Sequence, residues 1–403
     1  MSGPAAGSSV GPAFGPVVGM VGAGQLARMT YQASIALGIR FRVLAAEPGD
    51  SAAMVCPDVQ LGDYRDLDDL LSFAAGCDVV TFDHEHVPAP HLAALEQAGV
   101  TLRPGPEALR FTQDKLAMRE RLTALGVACP RYAPAGGLGD VTAFAADSGW
   151  PVVLKAVSGG YDGRGVWVCG TPEQAAEVLA HGIAVMVEEQ VGFARELAAL
   201  VARSPHNQGA AYPVVQTVQV DGVCREVLAP APHLPAPRAR EAERLALELA
   251  ESLGVTGLLA VELFETPDAL LVNELAMRPH NSGHWTIDGA TTSQFEQHLR
   301  AVLDLPLGAP DGVARQVVMA NVFGGTASGR AELASTGPDV YSRYTHVMAA
   351  DPGVRVHLYG KAPRPGRKIG HVTVLPDTAL GDDIDALRER AGHAARYLGE
   401  GKD

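Results

Sequence analysis

Apolar runs and amphipathic stretches alternate along the first part of the chain. The runs predict buried strands at Val17–Val21, Phe41–Ala45, Asp78–Phe82 and, more briefly, Val100–Leu102. Gln25–Leu37, which follows the turn sequence Gly22-Ala23-Gly24, has the periodicity of a helix. Strands that alternate with helices predict an open parallel sheet, so we expect a Rossmann-like α/β domain over residues 17–114.

The pattern changes after residue 114, where a predicted helix, Lys115–Leu125, leads into a smaller unit. Its strands are predicted at Val152–Val157, Val166–Cys169 and Ala184–Glu188. We expect this unit to occupy residues 115–205 and a larger one to occupy residues 206–313. The elements predicted for the larger unit are a helix at Arg238–Leu253 and strands at Leu258–Phe264 and Ala269–Leu275.

The C-terminal end of the chain is predicted to fold, whereas the N-terminal end is not. The C-terminal strands are predicted at Gln316–Phe323, Val354–Tyr359 and His371–Leu375, with a closing helix from about Thr378. They predict a small β-rich α+β unit over residues 314–403 that packs on the preceding units. Residues 1–16 are rich in Gly, Ala, Ser and Pro and predict a flexible tail without the features of a signal peptide.

Length and charge narrow the functional classes. A chain of 403 residues is too long to fold around one compact core, and its 47% hydrophobic content is ample for several cores. The net charge of −14 argues against sequence-independent nucleic-acid binding, which requires a basic surface. The five cysteines are scattered singly and no apolar segment reaches about 18 residues, which favours a cytoplasmic protein with reduced thiols and no membrane span.

The densest group of chemically active side chains lies in the segment Asn273–Trp285. It contains Glu274, Arg278, His280 and His284, and it directly follows an apolar predicted strand. Side chains at the end of a strand can converge in a cleft. This set of groups suits an anionic substrate together with a hard metal ion.

Two glycine-rich segments predict phosphate contacts of different kinds. Gly22-x-Gly24-x-x-Ala27, with Glu47 after the next strand, fits either a dinucleotide-binding turn or an ordinary tight turn of a doubly wound sheet. The segment Ser158–Gly165, called the flap below, has four glycines and lies between two predicted strands. It predicts a mobile loop whose amides close over phosphates, with a plain glycine-rich hairpin as the alternative.

Lys155 and the acids that follow the flap predict a nucleotide site. Lys155 stands in an apolar strand, where an unpaired ammonium is costly to bury. A nucleotide phosphate under the flap is the favoured partner, and an exit of the side chain to solvent is the alternative. Glu188 and Glu189 end a strand shortly before the next one, so an adenine ring could lie against this linker with a carboxylate on the ribose hydroxyls.

Glu262 and Glu274 predict a magnesium site. They lie in two strands joined by a turn, and their even separation lets a hairpin place the two carboxylates opposite each other. Mg²⁺, completed by phosphate oxygens and water, would relieve their repulsion, whereas a solvated pair of surface acids is the alternative. Asn273 would face away in an ideal strand, so it contributes only if the strand twists or ends there.

Basic side chains cluster near the end of this acidic chain. Lys361, Arg364, Arg367 and Lys368 fall within eight residues. A cationic corner of this kind suits a phosphate monoester, and a solvated basic loop is the alternative.

These motifs, in this order, resemble the ATP-grasp superfamily. The combination of the flap with Asn273-Glu274 and His280–Trp285 looks like the family of 5-(carboxyamino)imidazole ribonucleotide synthases. The resemblance covers nearly the whole chain after the tail and includes Gly24-Gln25-Leu26, Thr81-Phe82-x-x-Glu85 and Arg367–His371. It implies an ATP-grasp fold with a pre-ATP-grasp N-terminal domain, a small C-terminal unit and a homodimer.

The activity that the resemblance implies is a step of purine biosynthesis. ATP, bicarbonate and 5-aminoimidazole ribonucleotide would react, through carboxyphosphate and with Mg²⁺, to give the carboxyamino product, ADP and phosphate. Catalysis of this kind depends mainly on positioning and electrostatics.

The resemblance also assigns residues to ligands. The nucleotide contacts it implies are Arg110, Lys155, Gly160, Tyr161, Asp162, Gly163, Glu188, Glu189, Glu196 and Asn273. The ribonucleotide contacts it implies are Gln25, Glu85, Tyr161, Arg164, Lys361, Arg367 and Lys368. Glu262 and Glu274 resemble the Mg²⁺ ligands. The residues expected near bicarbonate and carboxyphosphate are Arg278, His280, Asn281 and Ser282.

Three other functions are alternatives to this interpretation. A formate-dependent glycinamide ribonucleotide ligase would share Lys155 and the acid pair, but it usually has an acid and a threonine after the histidine where this chain has Asn281–Trp285. A nicotinamide-dependent oxidoreductase would use the Gly22 turn and leaves Lys155 unexplained. A non-catalytic nucleotide-binding regulator would not need Arg278.

Met277 departs from the family pattern, which commonly has proline there.

Overall fold

The computed structural model describes residues 15–160, 164–325, 340–376 and 383–401. Three sequence expectations therefore fall wholly or partly outside the described residues. They are the tail up to residue 14, the flap residues Tyr161, Asp162 and Gly163, and the start of the last helix near Thr378.

The N-terminal domain contains a four-stranded parallel sheet. Its strands are β1 (Val17–Val21), β2 (Arg40–Ala45), β3 (Asp58–Leu61) and β4 (Val79–Phe82), in the spatial order β3-β2-β1-β4. The helices are α1 (Gln25–Ala36), α2 (Leu67–Ala74), α3 (Ala89–Gln97) and α4 (Pro106–Gln113). The parallel sheet expected from the sequence is confirmed. Strand β3 was not predicted, because none of its four residues is buried, and the expected strand near residue 101 is a single bridge between Val80 and Leu102.

A second, antiparallel four-stranded sheet forms the lid of the molecule. Its strands are β5 (Tyr132–Ala135), β6 (Val152–Ala156), β7 (Val166–Cys169) and β8 (Val185–Glu189), in the order β5-β8-β6-β7. The helices of this part are α5 (Lys115–Ala124), α6 (Leu138–Ser148) and α7 (Pro172–Leu179). Buried side chains of α6 and α7, such as Val141 and Val178, pack on the sheet residues Leu154 and Val187.

The rest of the described chain is organised around one nine-stranded sheet with the order β14-β13-β9-β11-β12-β15-β17-β16, in which β10 pairs with β9. Its strands are β9 (Arg195–Arg203), β10 (Gly209–Ala211), β11 (Val215–Val220), β12 (Val223–Ala229), β13 (Gly257–Glu265), β14 (Leu270–Ala276), β15 (Val317–Gly324), β16 (Arg355–Leu358) and β17 (Arg367–Val374). The helices are α8 (Ala236–Ser252), α9 (Thr286–Gly289), α10 (Gln294–Val302), α11 (Tyr344–Ala350) and α12 (Ile384–Glu400).

The large sheet joins strands from three of the units that the sequence patterns separate. Strand β9, which was expected to lie in the smaller unit ending at residue 205, pairs with β13 at the centre of the large sheet. The C-terminal strands were expected to form a unit packed on the core, but β15 pairs directly with β12 and continues the same sheet. Strand pairing therefore connects these units into one sheet, which the sequence patterns did not show.

One hydrophobic core joins the N-terminal domain to the large sheet. Phe82 of the first and Leu259 and Leu275 of the second belong to the same buried cluster. A polar link reinforces it, since the buried Thr81 Oγ1 on β4 lies 2.8 Å from His298 Nε2 on α10. Side chains presented by β4 and by β14 are thus held by one packed core.

The sequence also predicted reduced thiols and no membrane-spanning segment. All five cysteines are free, as expected for reduced thiols. None of the helices in the described ranges combines the length and the apolar character that crossing a bilayer requires.

Candidate active site

A cleft of about 1390 Å³ opens between the lid, the N-terminal domain and the large sheet. Sixteen of the residues singled out from the sequence line it: Gln25, Glu85, Lys155, Gly160, Glu188, Glu189, Glu196, Glu262, Asn273, Glu274, Arg278, His280, Asn281, Ser282, Lys361 and Lys368. The cleft also contains the side chains of Lys115 and His84, which sequence reasoning had not assigned a role. Residues distant in sequence thus meet in one site.

Three predicted contacts do not line the cleft. Arg110 is exposed on α4, because its neighbours Ala108 and Leu109 are the residues that this helix buries. Arg164 is an exposed residue of the flap, and Arg367 donates from Nη1 to the carbonyl oxygen of Ala362 at 3.3 Å. The nucleotide contact expected of Arg110 therefore stays a prediction, whereas Lys115 at the start of α5 does line the cleft.

The buried Lys155 is paired with another side chain of the protein. The sequence had suggested either a nucleotide phosphate or an exit of the side chain to solvent. Its Nζ lies 2.7 Å from Glu188 Oε2 and donates to Asn273 Oδ1 at 2.9 Å. These contacts use two of the three donors of the ammonium. Because Lys155 also lines the cleft, the third donor remains for a ligand.

Glu188 is held between two cations. Arg119 of α5 donates from Nε to Glu188 Oε1 at 2.6 Å, and its other nitrogens donate to the carbonyl oxygens of Val272 and Asn273. Burial alone would raise the pKa of Glu188, but Lys155 and Arg119 together lower it below its usual value. Both oxygens of this carboxylate are engaged by protein cations, so the ribose carboxylate expected in this linker is better sought among its neighbours.

Sequence reasoning missed Arg119 entirely. Its side chain is 1% exposed, and a guanidinium so buried must have partners. The available signal was its spacing from Lys115, because residues four apart on a helix share one face. That face of α5 meets Glu188 through Arg119 and Glu274 through Lys115.

Strands β13 and β14 form the predicted hairpin. Glu262 and Glu274 are direct cross-strand partners, and the register shifts beside them so that Asn273 is an extra residue. Such a bulge turns neighbouring side chains toward one side. Asn273 and Glu274 consequently both line the cleft, which meets the condition that the sequence set for Asn273.

The acid pair has the chemistry of a magnesium site that is completed by a ligand. Burial, and then repulsion from Glu274 and Glu196, raises the pKa of Glu262 to about 8. Lys115 Nζ lies 2.7 Å from Glu274 Oε1, and His280 Nε2 lies 3.4 Å from Glu262 Oε1. Within the described ranges, no group of three or more His, Cys, Asp or Glu side chains could hold a metal ion. The pair therefore fits Mg²⁺ only with phosphate oxygens and water as further ligands.

Arg278 connects the large sheet to the N-terminal domain. Its Nε lies 2.8 Å from Glu85 Oε2, so a residue expected near bicarbonate pairs with one expected near the ribonucleotide. Burial works against the charge of Arg278, but Glu85 raises the pKa of the guanidinium above its usual value. The other oxygen of Glu85 is buried and has no hydrogen-bond partner among the described residues. Met277, which precedes Arg278, is fully buried in the main core and thereby anchors this segment.

The segment after Arg278 presents polar atoms to the same cleft. His280 Nδ1 lies 2.8 Å from Ser282 Oγ. Both polar atoms of the Asn281 side chain are buried without a hydrogen-bond partner in the described part of the chain. Polar atoms left in this way are costly unless a ligand or water satisfies them, which supports a binding role for Asn281.

The first turn of the N-terminal domain is already occupied by a protein carboxylate. The amide of Gly24 donates to Asp83 Oδ2 at 2.5 Å, and that of Ala27 donates to Asp83 Oδ1 at 3.3 Å. A methyl group on Gly24 would lie 2.4 Å from Asp83 Oδ2, so the turn is closed on this side. The dinucleotide-binding interpretation is therefore wrong, because the amides that would meet a phosphate bind Asp83.

The basic corner divides into two parts. Lys361 donates to Gln25 Oε1 and lies 5.8 Å from the ring centre of Tyr359, and it lines the cleft together with Lys368. Arg364 is exposed on the loop before β17. The corner is thus joined to the N-terminal domain through Gln25, a pairing that the sequence could not show.

Three family models match consecutive parts of the chain. Residues 16–113 match the ribonucleotide synthetase pre-ATP-grasp domain, residues 120–295 match the ATP-grasp domain, and residues 317–390 match the phosphoribosylaminoimidazole carboxylase C-terminal domain. The matches follow the order of the three parts of the fold.

Whole-chain comparisons give the same result. The N5-carboxyaminoimidazole ribonucleotide synthase of Mycobacterium tuberculosis is 57% identical over 392 residues, which cover 96% of this chain and 89% of that protein. The crystal structure of the synthetase from Thermus thermophilus has a TM-score of 0.83 at 36% identity and covers 95% of this chain and 98% of its own. The Aspergillus clavatus synthase in complex with ADP and 5-aminoimidazole ribonucleotide has a TM-score of 0.82 at 29% identity, with 95% and 97% covered.

Replacing Glu188 with Gln should destabilise the protein far more than the same change at the adjacent Glu189. Glu188→Gln leaves Arg119 and Lys155 buried without their counter-charge, which is expected to cost about 3–5 kcal/mol. Glu189 pairs with Arg131 at 2.7 Å in a more exposed position, so Glu189→Gln is expected to cost less than about 1 kcal/mol. The midpoint of urea unfolding measures both changes. Equal midpoints for the two variants would show that the buried network does not stabilise the fold.

Proposed function

The chain belongs to the N5-carboxyaminoimidazole ribonucleotide synthase family of ATP-grasp enzymes, and we propose that the cleft between its three domains is the active site. The reaction is the ATP-dependent carboxylation of 5-aminoimidazole ribonucleotide to N5-carboxyaminoimidazole ribonucleotide, a step of purine biosynthesis. One observation carries the assignment of the cleft. Lys155, the Glu262–Glu274 pair and the Glu85–Arg278 pair all face the same space.

The lid side of the cleft is proposed to hold ATP. Lys155 offers its remaining ammonium donor to a phosphate, and its contact with Asn273 ties that donor to the metal hairpin. Gly160 and the flap residues Tyr161, Asp162 and Gly163 supply the amides expected to close over the phosphates. Glu196 and the backbone after Glu188 are proposed to meet the ribose and the adenine.

Glu262 and Glu274 are the proposed Mg²⁺ ligands. The bound ion supplies positive charge to the phosphate oxygens during phosphoryl transfer. Lys115 lies beside Glu274 Oε1 and His280 lies beside Glu262 Oε1, and these contacts are proposed to orient the two carboxylates.

The carboxylation is proposed to take place beside Arg278 and His280. A bicarbonate oxygen attacks the γ-phosphorus and ADP leaves, which gives carboxyphosphate. The exocyclic amine then forms a bond to the carboxyl carbon, directly or after release of CO₂, while phosphate leaves and the amine loses one proton. A guanidinium held by Glu85 stabilises the negative charge of these oxygens without reorganising.

The ribonucleotide is proposed to lie between the N-terminal domain and the C-terminal strands. Gln25 and Lys361 already contact each other there, and Lys368 adds a cation for the phosphate monoester. Glu85 has an acceptor oxygen, without a partner among the described residues, that can receive a hydrogen bond from the aminoimidazole. Tyr161 and Arg164 of the flap are proposed to join this set when the lid closes.

The decisive assay follows phosphate release from ATP. We expect release to be stimulated by 5-aminoimidazole ribonucleotide with bicarbonate, and not by glycinamide ribonucleotide with formate, because Asn281–Trp285 matches the first activity. Stimulation by the second pair alone would assign the chain to the other ligase. A lack of stimulation by either pair would contradict the proposed function.

Glu274→Gln should remove Mg²⁺-dependent turnover without unfolding the protein. The amide cannot replace the charge that a hard cation requires, so the rate at ordinary Mg²⁺ is expected to fall by on the order of a hundredfold or more. Circular dichroism checks the fold. The matched control is Glu248→Gln, an exposed acid of α8 that pairs with Arg244, and it should leave turnover unchanged. Full turnover by Glu274→Gln would mean that the hairpin does not hold the metal.

We also propose a homodimer that works in the cytoplasm. Besides the resemblance, the support is an apolar surface beside the edge strand β3, where Met54, Val55 and Leu61 are 47%, 40% and 53% exposed. Sedimentation equilibrium should give twice the single-chain mass of 42.1 kDa. A mass of one chain at micromolar concentration would contradict the proposal.

A further inference from the structure

The floor of the cleft contains a histidine that the proposed mechanism has not used. His284 follows the short 3₁₀ turn Asn281–Gly283, is 0% exposed and lines the cleft. Its Nε2 is buried and has no hydrogen-bond partner among the described residues. A ring nitrogen in this position faces either a ligand or a buried water.

Gln294 determines which nitrogen of His284 carries the proton. The amide N–H of His280 donates to Gln294 Oε1 at 2.8 Å, which fixes the orientation of the Gln294 side chain. Gln294 Nε2 then donates to the carbonyl oxygen of His280 at 2.8 Å and to His284 Nδ1 at 3.0 Å. Because Nδ1 accepts a hydrogen bond, the proton of a neutral ring must lie on Nε2.

The ring is neutral because of its surroundings. Burial, and then the neighbouring His280 and Lys368, lowers the pKa of His284 well below its usual value. Arg278 and His357 act in the same direction. The nitrogen without a partner among the described residues is therefore an N–H donor, and the cations Lys368 and Arg278 lie in its surroundings.

Other polar and cationic groups line the same cleft. Neither polar atom of the Asn281 side chain has a well-aligned hydrogen bond among the described residues, although the Cys224 thiol lies close to it. Arg278, which is paired with Glu85, and Lys368 line the same cleft. N–H donors and cations that line one cleft fit an oxyanion better than a cationic ligand.

We propose that His284 Nε2–H donates a hydrogen bond to a substrate oxyanion, and that Gln294 is the positioning residue that holds this tautomer. The proposal rests on the proposed function, which supplies two oxyanions for the corner. They are the carboxylate derived from bicarbonate and the phosphate of the ribonucleotide.

A buried water is the competing explanation. His371 Nε2 also lacks a partner in the described part of the chain, and the two rings lie 5.1 Å apart. His371 does not line the cleft, and its Nδ1 is engaged by Tyr359. A water between the two histidines would make His284 structural, so the experiment must separate this role from substrate binding.

Two substitutions of His284 provide the separation. His284→Asn keeps a polar atom near Nδ1 for Gln294 but removes the donor at the Nε2 position. His284→Gln carries an amide N–H about as far as Nε2. Turnover is measured against bicarbonate, the ribonucleotide and ATP separately, and the unfolding midpoint reports stability.

We expect His284→Asn to change the KM of only one of the two substrates that carry an oxyanion. His284→Asn should raise the KM for bicarbonate by on the order of tenfold or more, as the loss of a hydrogen bond to a charged group implies, with the KM for ATP unchanged. His284→Gln should bring the KM for bicarbonate most of the way back to the wild-type value. A rise in the KM for the ribonucleotide instead identifies its phosphate as the bound oxyanion. Unchanged KM values for both substrates, with or without lost stability, would overturn the proposal in favour of the buried water.

A second measurement does not depend on activity. In protein labelled with ¹⁵N-histidine, the His284 signal, assigned by its absence in His284→Gln, should show a protonated Nε2 that shifts on addition of inorganic phosphate or bicarbonate. A protonated Nδ1, or no response to either anion, would overturn the proposal. If the wild-type protein shows this response but no turnover, the proposed function fails while the oxyanion donor stands.

Discussion

A buried carboxylate held between two cations organises this site. Glu188 on the lid strand β8 contacts Lys155 on β6 and Arg119 on α5, and Arg119 in turn donates to the carbonyl oxygens of β14. Charges so deeply buried are stable only as a set, because removing one leaves another without compensation. The network therefore fixes the position of Lys155 relative to Asn273, and with it the position of the lid on the large sheet.

The remaining functional groups take their positions from this junction and from the shared core. The bulge at Asn273 turns an amide and a carboxylate of the same strand into one cleft, where Glu274 faces Glu262. The N-terminal domain contributes Glu85 from beyond β4, and the common core keeps it within 2.8 Å of Arg278. The buried contacts between the three domains therefore hold the groups of the proposed active site at fixed distances from one another.

Much of this arrangement could be predicted from the sequence, and the exceptions have physical reasons. The apolar runs gave the buried strands, and the separation of Glu262 from Glu274 gave their pairing, because side-chain direction in a hairpin follows from register. Strand β3 escaped detection since no residue of it is buried. The sequence showed that Lys155 needs a partner but not that Glu188 supplies it, because such contacts arise only when distant elements pack together.

The Gly22 turn illustrates the limit of a short motif. Its spacing fits a phosphate-binding turn, yet the amides bind Asp83, a residue far away in the sequence. The identity of the side chain opposite a turn decides its function, and sequence spacing does not reveal that identity. Resemblance over the whole chain was the better guide, because it weighed several motifs at once.

Isotope transfer tests the central claim, that the cleft couples ATP cleavage to activation of bicarbonate. The reaction would be run with ¹⁸O-labelled bicarbonate, ATP, Mg²⁺ and 5-aminoimidazole ribonucleotide, and the released phosphate analysed by mass spectrometry. If bicarbonate attacks the γ-phosphorus, its oxygen remains in the phosphate, and the account predicts labelled phosphate in proportion to product formed. Unlabelled phosphate accompanying full carboxylation, with its new oxygen drawn from water, would contradict it.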